Sequence, residues 1–232
     1  MTMPDALFLA QAGYQFDWEY FVELIPIIGR GLLQTVLATL VGITIGMVLG
    51  LVLALLRRSE TKWVSWPTAA FIEFVRSTPL LVQLFFIFFV LPSFGIRLSP
   101  FVTLVVGLGI HYGTYTSESY RAGIDNVGRG QWEASTALNL SPTTTWTRVV
   151  LPQAVPTVIP ALGNYLVAMF KDAPLGTAVA AGGILLAAQS QASLSFQPVE
   201  PYTLMGLMFL AVSIPAALFA RYLEKRYGYA RQ

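Results

Sequence analysis

The stretch that decides the fold is "GLLQTVLATLVGITIGMVLGLVLALL", residues 31–56. It holds 26 residues, and none of them is charged. About 20 apolar residues in a helix are enough to cross the hydrocarbon core of a bilayer. Because only helices and closed barrels satisfy their backbone hydrogen bonds in lipid, this run predicts a membrane-spanning helix.

The rest of the chain has the same apolar character. Of its 232 residues, 55% are hydrophobic and 11% are charged, and the mean hydropathy is +0.64. A soluble domain has about a quarter of its residues charged. Four further apolar runs are long enough to be spans, so we predict an all-α polytopic membrane protein with five transmembrane helices. The further runs are 71–91, 101–120, 154–170 and 202–220.

The basic residues predict the orientation of these spans. With five spans, ten of the 14 lysines and arginines fall on one side of the membrane. The positive-inside bias then places the N-terminus outside and the C-terminus in the cytoplasm. A sixth span at 176–188 would move the C-terminal cations outside, so this short segment is expected to be re-entrant or buried. The ten are Arg57, Arg58, Lys62, Arg121, Arg129, Arg148, Arg221, Lys225, Arg226 and Arg231.

We expect two parts in the chain. Residues 1–30 contain several aromatic residues and no basic residue before Arg30, which is unlike a signal peptide and predicts an exterior segment at the membrane interface. Residues 31–232 form the transmembrane domain. The chain has no cysteine and one histidine, so thiolate and multi-histidine metal sites are excluded and no metal site is predicted.

A polar segment, residues 128–152, interrupts the apolar runs and carries signals for a helical hairpin. Asn139 tolerates the left-handed conformation that closes a helix, and Ser141 followed by Pro142 is typical of a helix start. We expect the second helix to end at Pro152. The hairpin is either a surface loop at the headgroups or a docking element for a cytoplasmic protein. Its predicted apolar ridge consists of Trp132, Leu138, Trp146, Val149 and Val150.

The stretch "GQWEASTALNLSPTTTWTRVVLP" resembles the EAA loop in the membrane subunits of ATP-binding-cassette importers. Ser135 stands where that family usually has alanine, and Asn139 where it usually has glycine. The matching residues are Glu133, Ala134, Val149, Leu151 and Pro152. The resemblance implies that the loop couples to an ATPase through Gln131, Trp132, Glu133, Ala134, Asn139, Trp146, Leu151 and Pro152.

Other stretches resemble the branch of this family that imports polar amino acids. They include "EFVRSTPLLVQLFFIFFVLP", "YRAGIDNVGRGQWEA" and "PALGNYLVAMFKDAPL". "GLGIHYGTYTSESYRAGIDNV" and "ALNLS" are most similar to ectoine and hydroxyectoine permeases, so import of such a solute is favoured. The alternative is glutamine, glutamate or a basic amino acid. Gly183 and Ile184 depart from the Glu-Leu pair that is common in relatives.

The resemblance also implies partners. It predicts a multi-pass subunit in a bacterial cytoplasmic (inner) membrane, working with a cytoplasmic ATPase dimer and an extracytoplasmic solute-binding protein. It also predicts a second permease subunit, with a heterodimer favoured over a homodimer, and no nucleic acid. None of the three lysines ends a glycine-rich phosphate loop, so this chain is not expected to be an enzyme or to bind a cofactor. ATP and magnesium belong to the ATPase.

Charged residues near the ends of two spans are candidates for a gate. Glu73 with Arg76, and Glu118 with Arg121, are each three residues apart and can pair on a helix. These pairs either anchor the helix ends or form a cytoplasmic gate. Pro79 is expected to break the second span.

Polar residues at mid-depth are candidates for the solute path or for hydrogen bonds between helices. A passive channel would need no docking hairpin, and a scaffold would need no polar residues at mid-membrane, so both alternatives are disfavoured. Glycines 42, 46 and 50 form one stripe that predicts close helix packing. Lys171 and Asp172 are expected to face the delivering protein or the cavity. The other candidates are Gln83, His111, Tyr112, Tyr115 and Asn164.

Overall fold

A computed structural model describes residues 15–228. Within this part all the regular secondary structure is helical, which confirms the all-α class. Two stretches are π-helical, Phe86–Val90 and Thr145–Val150, and two are 3₁₀-helical, Leu91–Phe94 and Ala173–Val179. The α-helices are α1 Trp18–Arg57, α2 Lys62–Arg76, α3 Leu80–Phe85, α4 Pro100–Asp125, α5 Arg129–Ala137, α6 Pro142–Thr144, α7 Leu151–Asp172, α8 Ile184–Ser195 and α9 Val199–Gly228.

Within residues 15–228, three helical segments are long and apolar enough to cross a membrane by length and composition. They cover Trp18–Arg57, Pro142–Val179 and Val199–Tyr227, and α2 with the helical residues up to Phe94 makes a fourth if that bent pair counts as one. The helix α4 has 26 residues and is about 39 Å long at 1.5 Å per residue. All of these helices extend beyond the apolar runs that predicted them.

The first helix begins earlier than expected. Asp17 caps it by accepting a 3.0 Å hydrogen bond from the Tyr20 amide, and the helix continues without a break into the apolar run. Residues 18–30 are therefore part of α1 and not a separate interfacial helix. The remainder of the predicted N-terminal segment, residues 1–14, lies outside the described residues.

The second predicted span, 71–91, is two helices. After α2 ends at Arg76 the chain turns by 105° and restarts at Leu80. Pro79 has no backbone N–H to donate in a helical hydrogen bond, and it also restricts the backbone of the residue before it. The predicted break of the second span is therefore confirmed. The Gln83 Nε2 donates to the carbonyls of Val75 and Thr78, at 2.8 and 2.9 Å, and thereby satisfies groups that the break leaves free.

The glycine stripe of α1 packs directly on α4. Glycines 42, 46 and 50 are all buried. A Cβ atom on Gly50 would lie 1.9 Å from the Thr116 Oγ1, and this hydroxyl donates a 2.8 Å hydrogen bond to the Gly46 carbonyl. The close approach leaves no room for a side chain, which confirms the predicted packing role of the stripe.

Residues 176–188 form a 3₁₀ turn and the start of α8, packed on α1. The Gln34 and Thr35 side chains of α1 accept hydrogen bonds from the amides of Gly183 and Ile184, at 3.1 and 3.0 Å. Ile184 is fully buried in a cluster with apolar residues of α1 and α9. Side chains of another helix thus cap α8, and the segment is buried as one of the two predicted alternatives requires.

Candidate coupling hairpin and solute site

The polar hairpin has the turn chemistry that its sequence predicts. Asn139 follows α5 with a backbone φ of 52°, in the left-handed region. The Ser141 side chain accepts from the Thr144 amide at 3.2 Å, and Pro142 occupies the first position of α6. Ser135, where the family usually has alanine, is buried and donates to the Gln131 carbonyl at 2.7 Å. The buried Ser135 hydroxyl therefore has a hydrogen-bond partner and adds no unsatisfied polar group.

The second arm of the hairpin does not stop at Pro152, contrary to the prediction. The chain stays helical for 31 residues, from Pro142 to Asp172. Pro152 lies in the first turn of α7, directly after the π-helical residues Thr145–Val150, and the shifted hydrogen-bond register of that π-helical turn accommodates the missing N–H. One continuous rod therefore joins the hairpin to Asp172.

The predicted apolar ridge is only partly exposed, which corrects the sequence interpretation. The rings of Trp132 and Trp146 meet edge to face with centroids 5.5 Å apart, and both pack on a buried cluster that includes Val150. Val150 is 0% exposed, whereas Leu138 is 72% exposed. The tryptophans anchor the hairpin to α4 and α7, because Ile124 and Ala154 of those helices cover them. The exposed candidates are Gln131, Glu133, Ala134, Leu138, Asn139, Leu151 and Pro152.

Four aromatic rings from two helices form a second candidate site. Tyr115 lies 5.2 Å from the ring of His111, 6.2 Å from Tyr112 and 6.1 Å from Tyr165, measured between centroids. The first three residues share one face of α4 because they are one and four positions apart. Tyr165 of α7 was not predicted. Its position seven residues, or two helical turns, before Asp172 is the signal that could have revealed it.

Hydrogen bonds connect polar groups around these rings. The Tyr112 hydroxyl donates to the Asp172 Oδ2 at 2.6 Å, and the His111 Nδ1 lies 3.3 Å from the Gln83 Oε1. The hydroxyls of Ser119 and Tyr165 are 3.1 Å apart. Gln83, His111, Tyr112, Tyr115 and Asp172 are thus brought together as candidates. Lys171 and Asn164 are exposed on α7, and no hydrogen bond joins either side chain to these rings in residues 15–228.

The charged gate candidates line one cavity of about 440 Å³. The Arg121 Nη2 pairs with the Glu118 Oε2 at 2.6 Å, which confirms this predicted pair. Arg121 also pairs with Asp125 at 3.1 Å, and Asp125 in turn pairs with Arg58. The cavity is lined by Arg57, Ala69, Ala70, Ile72, Glu73, Arg76, Glu118 and Arg121.

The other predicted pair is not formed. Among the ion pairs of the described residues none contains Glu73 or Arg76. Instead, the Arg76 Cζ lies over the Tyr115 ring, 5.2 Å from its centroid. Arg76 is the last residue of α2, so its side chain reaches across to α4 and not back along its own helix. The same arginine therefore contacts the aromatic site and lines the charged cavity.

Long apolar helices, a polar site between them and a helical hairpin at one end define the membrane subunit of a solute transporter. The described residues contain no cluster of three or more histidines or carboxylates that could hold a metal ion. Residues 42–229 match the family model of the binding-protein-dependent transport system inner membrane component. This match covers most of the chain, and the chain belongs to that family.

Individual relatives agree with the family. The chain is 42% identical over 218 residues to a probable amino-acid ABC transporter permease, y4tG, of Sinorhizobium fredii, covering 91% of this chain and 94% of the relative. It is 32% identical over 215 residues to the glutamine transport system permease protein GlnP of Escherichia coli, covering 91% of this chain and 98% of the relative. A crystal structure of an amino acid ABC transporter with histidines matches with a TM-score of 0.84 and 30% identity, covering 92% of this chain and 100% of that one.

The chain is thus a permease subunit of an amino-acid ABC importer, with the type I permease fold. It is a multi-pass protein of the bacterial cytoplasmic membrane. The family consists of transporter permeases, not enzymes, and in such systems the ATPase is a separate subunit. The family's description also implies a solute-binding protein.

Proposed function

We propose that the four-ring site forms part of the translocation path for a small zwitterionic amino acid or amino-acid-like solute. The observation that carries this proposal is the Asp172 carboxylate, hydrogen-bonded to Tyr112 at the edge of four aromatic rings. A carboxylate beside ring faces suits the cationic group of a solute.

The hairpin couples this site to the ATPase. The rod from Pro142 to Asp172 is on the order of 45 Å long, and it carries Tyr165 and Asp172 at its far end. A tilt imposed on the hairpin would move both side chains relative to α4. The ATPase dimer, which holds ATP and magnesium, would contact the exposed hairpin residues Gln131, Glu133, Ala134, Leu138 and Leu151.

The topology follows from the charge distribution. Five spans place the hairpin and the C-terminus in the cytoplasm and the N-terminus outside. A second permease subunit would cover the half-buried side of the four rings. We favour a different chain in this position, which makes a heterodimer, over a second copy of this chain. The binding protein would deliver the solute from the opposite side of the membrane.

The relatives favour an α-amino acid as the solute, because their names describe amino-acid and glutamine permeases. Ectoine or hydroxyectoine is the second candidate. The resemblance of residues 107–127 to ectoine permeases supports it, and aromatic rings next to a carboxylate also suit a delocalised cation.

The test is ATP-driven uptake into vesicles that contain the full complex, comparing glutamine, arginine, histidine and ectoine. We expect saturable uptake of at least one of them, and a fall of about tenfold in Asp172→Asn, because about 1.4 kcal/mol of ionic attraction is lost. Glu60→Gln makes the same change at an exposed carboxylate outside the site and should leave uptake unchanged. Unchanged uptake in Asp172→Asn would place the path elsewhere, and uptake without ATP would indicate a channel.

A further inference from the structure

The Arg76 side chain contacts an aromatic ring and not a carboxylate. Its guanidinium lies over the Tyr115 ring, 5.2 Å from the centroid, although Glu73 and Glu118 line the same cavity. No ion pair of residues 15–228 includes Arg76. An ionised carboxylate attracts a cation more strongly than a ring face does, so the position on Tyr115 calls for an explanation.

Tyr115 belongs to both regions that Arg76 touches. Its ring centroid lies within 6.2 Å of those of His111, Tyr112 and Tyr165, so it contacts all three other rings of the proposed solute site. Aromatic faces bind ammonium, guanidinium and other delocalised cations. The resident cation on this ring is a side chain of the protein, at the place where the cation of a solute would bind.

We propose that Arg76 is a built-in competitor for the cationic group of the solute at Tyr115. This inference rests on the proposed function. When a solute places its ammonium, guanidinium or amidinium group on the ring, Arg76 is displaced into the cavity, where Glu73 and Glu118 accept it. Two cations cannot share that position, because they repel each other and each needs the same ring.

The displacement would link solute binding to the charged end of the helices. Glu118 is the partner of Arg121, and the ion pairs continue through Asp125 to Arg58, the residue directly after α1. A displaced Arg76 competes with Arg121 for Glu118. The Arg76 side chain is exposed, so it has room to leave the ring. Occupation of the site would therefore loosen contacts that join α1 to α4.

Binding measurements on the full complex test the competition. The probes are radiolabelled arginine, glutamine and ectoine, added without the binding protein. In Arg76→Gln the apparent affinity should rise by about tenfold, because the fraction of complexes with a free ring increases. Arg76→Lys keeps a cation that stacks less well on the ring, so its gain in affinity should be smaller than that of Arg76→Gln. Lys62→Gln removes a cation from the other end of α2 and should leave affinity unchanged.

A chemical version of the test uses one protein preparation for all states. The chain has no cysteine, so Arg76→Cys can be modified selectively in this subunit. Aminoethyl methanethiosulfonate adds a cation and should return the affinity to the wild-type level. Methyl methanethiosulfonate adds a neutral group and should leave the tight binding of Arg76→Cys unchanged. The wild-type complex, treated in parallel, controls for cysteines in the other subunits.

The outcomes separate this inference from the proposed function. Unchanged or weaker binding in Arg76→Gln, or the same effect from both reagents, overturns the competition. If Asp172→Asn has lost uptake in that case, the solute path still stands. If Asp172→Asn transports normally while Arg76→Gln binds more tightly, Arg76 competes but Asp172 lies outside the path. Absence of probe binding in both the wild type and Arg76→Gln overturns the competition as well.

Discussion

The hairpin and the four-ring site are both polar regions of an apolar chain, but they are built in opposite ways. In the hairpin the decisive hydrogen bond joins Ser141 to Thr144, three residues apart. In the four-ring site the bond from Tyr112 to Asp172 spans 60 residues, and the pair Ser119 and Tyr165 spans 46. The hairpin is specified locally, whereas the site exists only when the helices have packed. Mutations in the two regions should therefore impair different properties of the protein.

The largest effect is expected in the hairpin, at the surface that we propose contacts the ATPase. Glu133 is exposed and is not part of any ion pair in residues 15–228, so its charge is available for docking. Glu133→Lys should weaken binding of the ATPase by roughly a hundredfold. Reversing the charge would replace an attraction across the interface by a repulsion between like charges, which costs several kcal/mol. Uptake should fall with the loss of ATPase binding. The measurement is the affinity of the purified ATPase for the permease in nanodiscs.

Membrane insertion should survive this change, since the hairpin fold does not depend on Glu133. Glu60→Lys reverses an exposed charge outside the hairpin and should bind the ATPase normally. If Glu133→Lys transports at the wild-type rate, the hairpin is not the coupling element. The hairpin and the four-ring site could then no longer be contrasted as a docking region and a binding region.

The next effect concerns the packing that holds the four-ring site together. Gly50→Ala would put a Cβ atom 1.9 Å from the Thr116 Oγ1 and 2.8 Å from the Gly113 carbonyl. Overpacking of this kind costs about 1–3 kcal/mol. We expect a lower unfolding temperature of the purified complex, together with weaker solute binding, because α4 carries three of the four rings.

Gly29→Ala is the matched control on the same helix. A Cβ atom there would have nothing within 4 Å, so the change should leave stability equal or slightly higher. Equal melting temperatures for the two variants would show that the approach of α1 to α4 tolerates a side chain. The prediction that the four-ring site depends on close packing at the glycine stripe would then be wrong.

What could be predicted from the sequence follows the same division. The left-handed Asn139 and the Ser141 cap could be predicted because local backbone chemistry determines them. The continuation of the helix through Pro152 could not, since it depends on the π-helical turn before it. The contact of Arg76 with Tyr115 was missed for a similar reason. Spacing on α2 favoured Glu73, and only the turn after α2 brings the arginine to α4.

Burial shows the same limit. Trp132, Trp146 and Val150 are apolar residues in a polar segment, and the sequence alone cannot show whether they face a partner or the protein itself. The structure places Ile124 and Val127 against them, and these belong to the preceding helix and the turn after it. The proposed docking surface is consequently smaller and more polar than predicted, with Glu133 and Leu138 exposed on it.

The smallest effect tests whether the hairpin really is specified locally. Asn139 adopts a φ of 52° and is exposed, so its contribution lies in the backbone conformation. Asn139→Ala should cost about 1 kcal/mol, because alanine is strained in the left-handed region, whereas Asn139→Gly should be close to neutral. Thermal unfolding and ATPase binding measure the two variants side by side. If alanine is tolerated as well as glycine, tertiary contacts and not the turn residue fix the hairpin, and the two polar regions are then built by the same long-range packing.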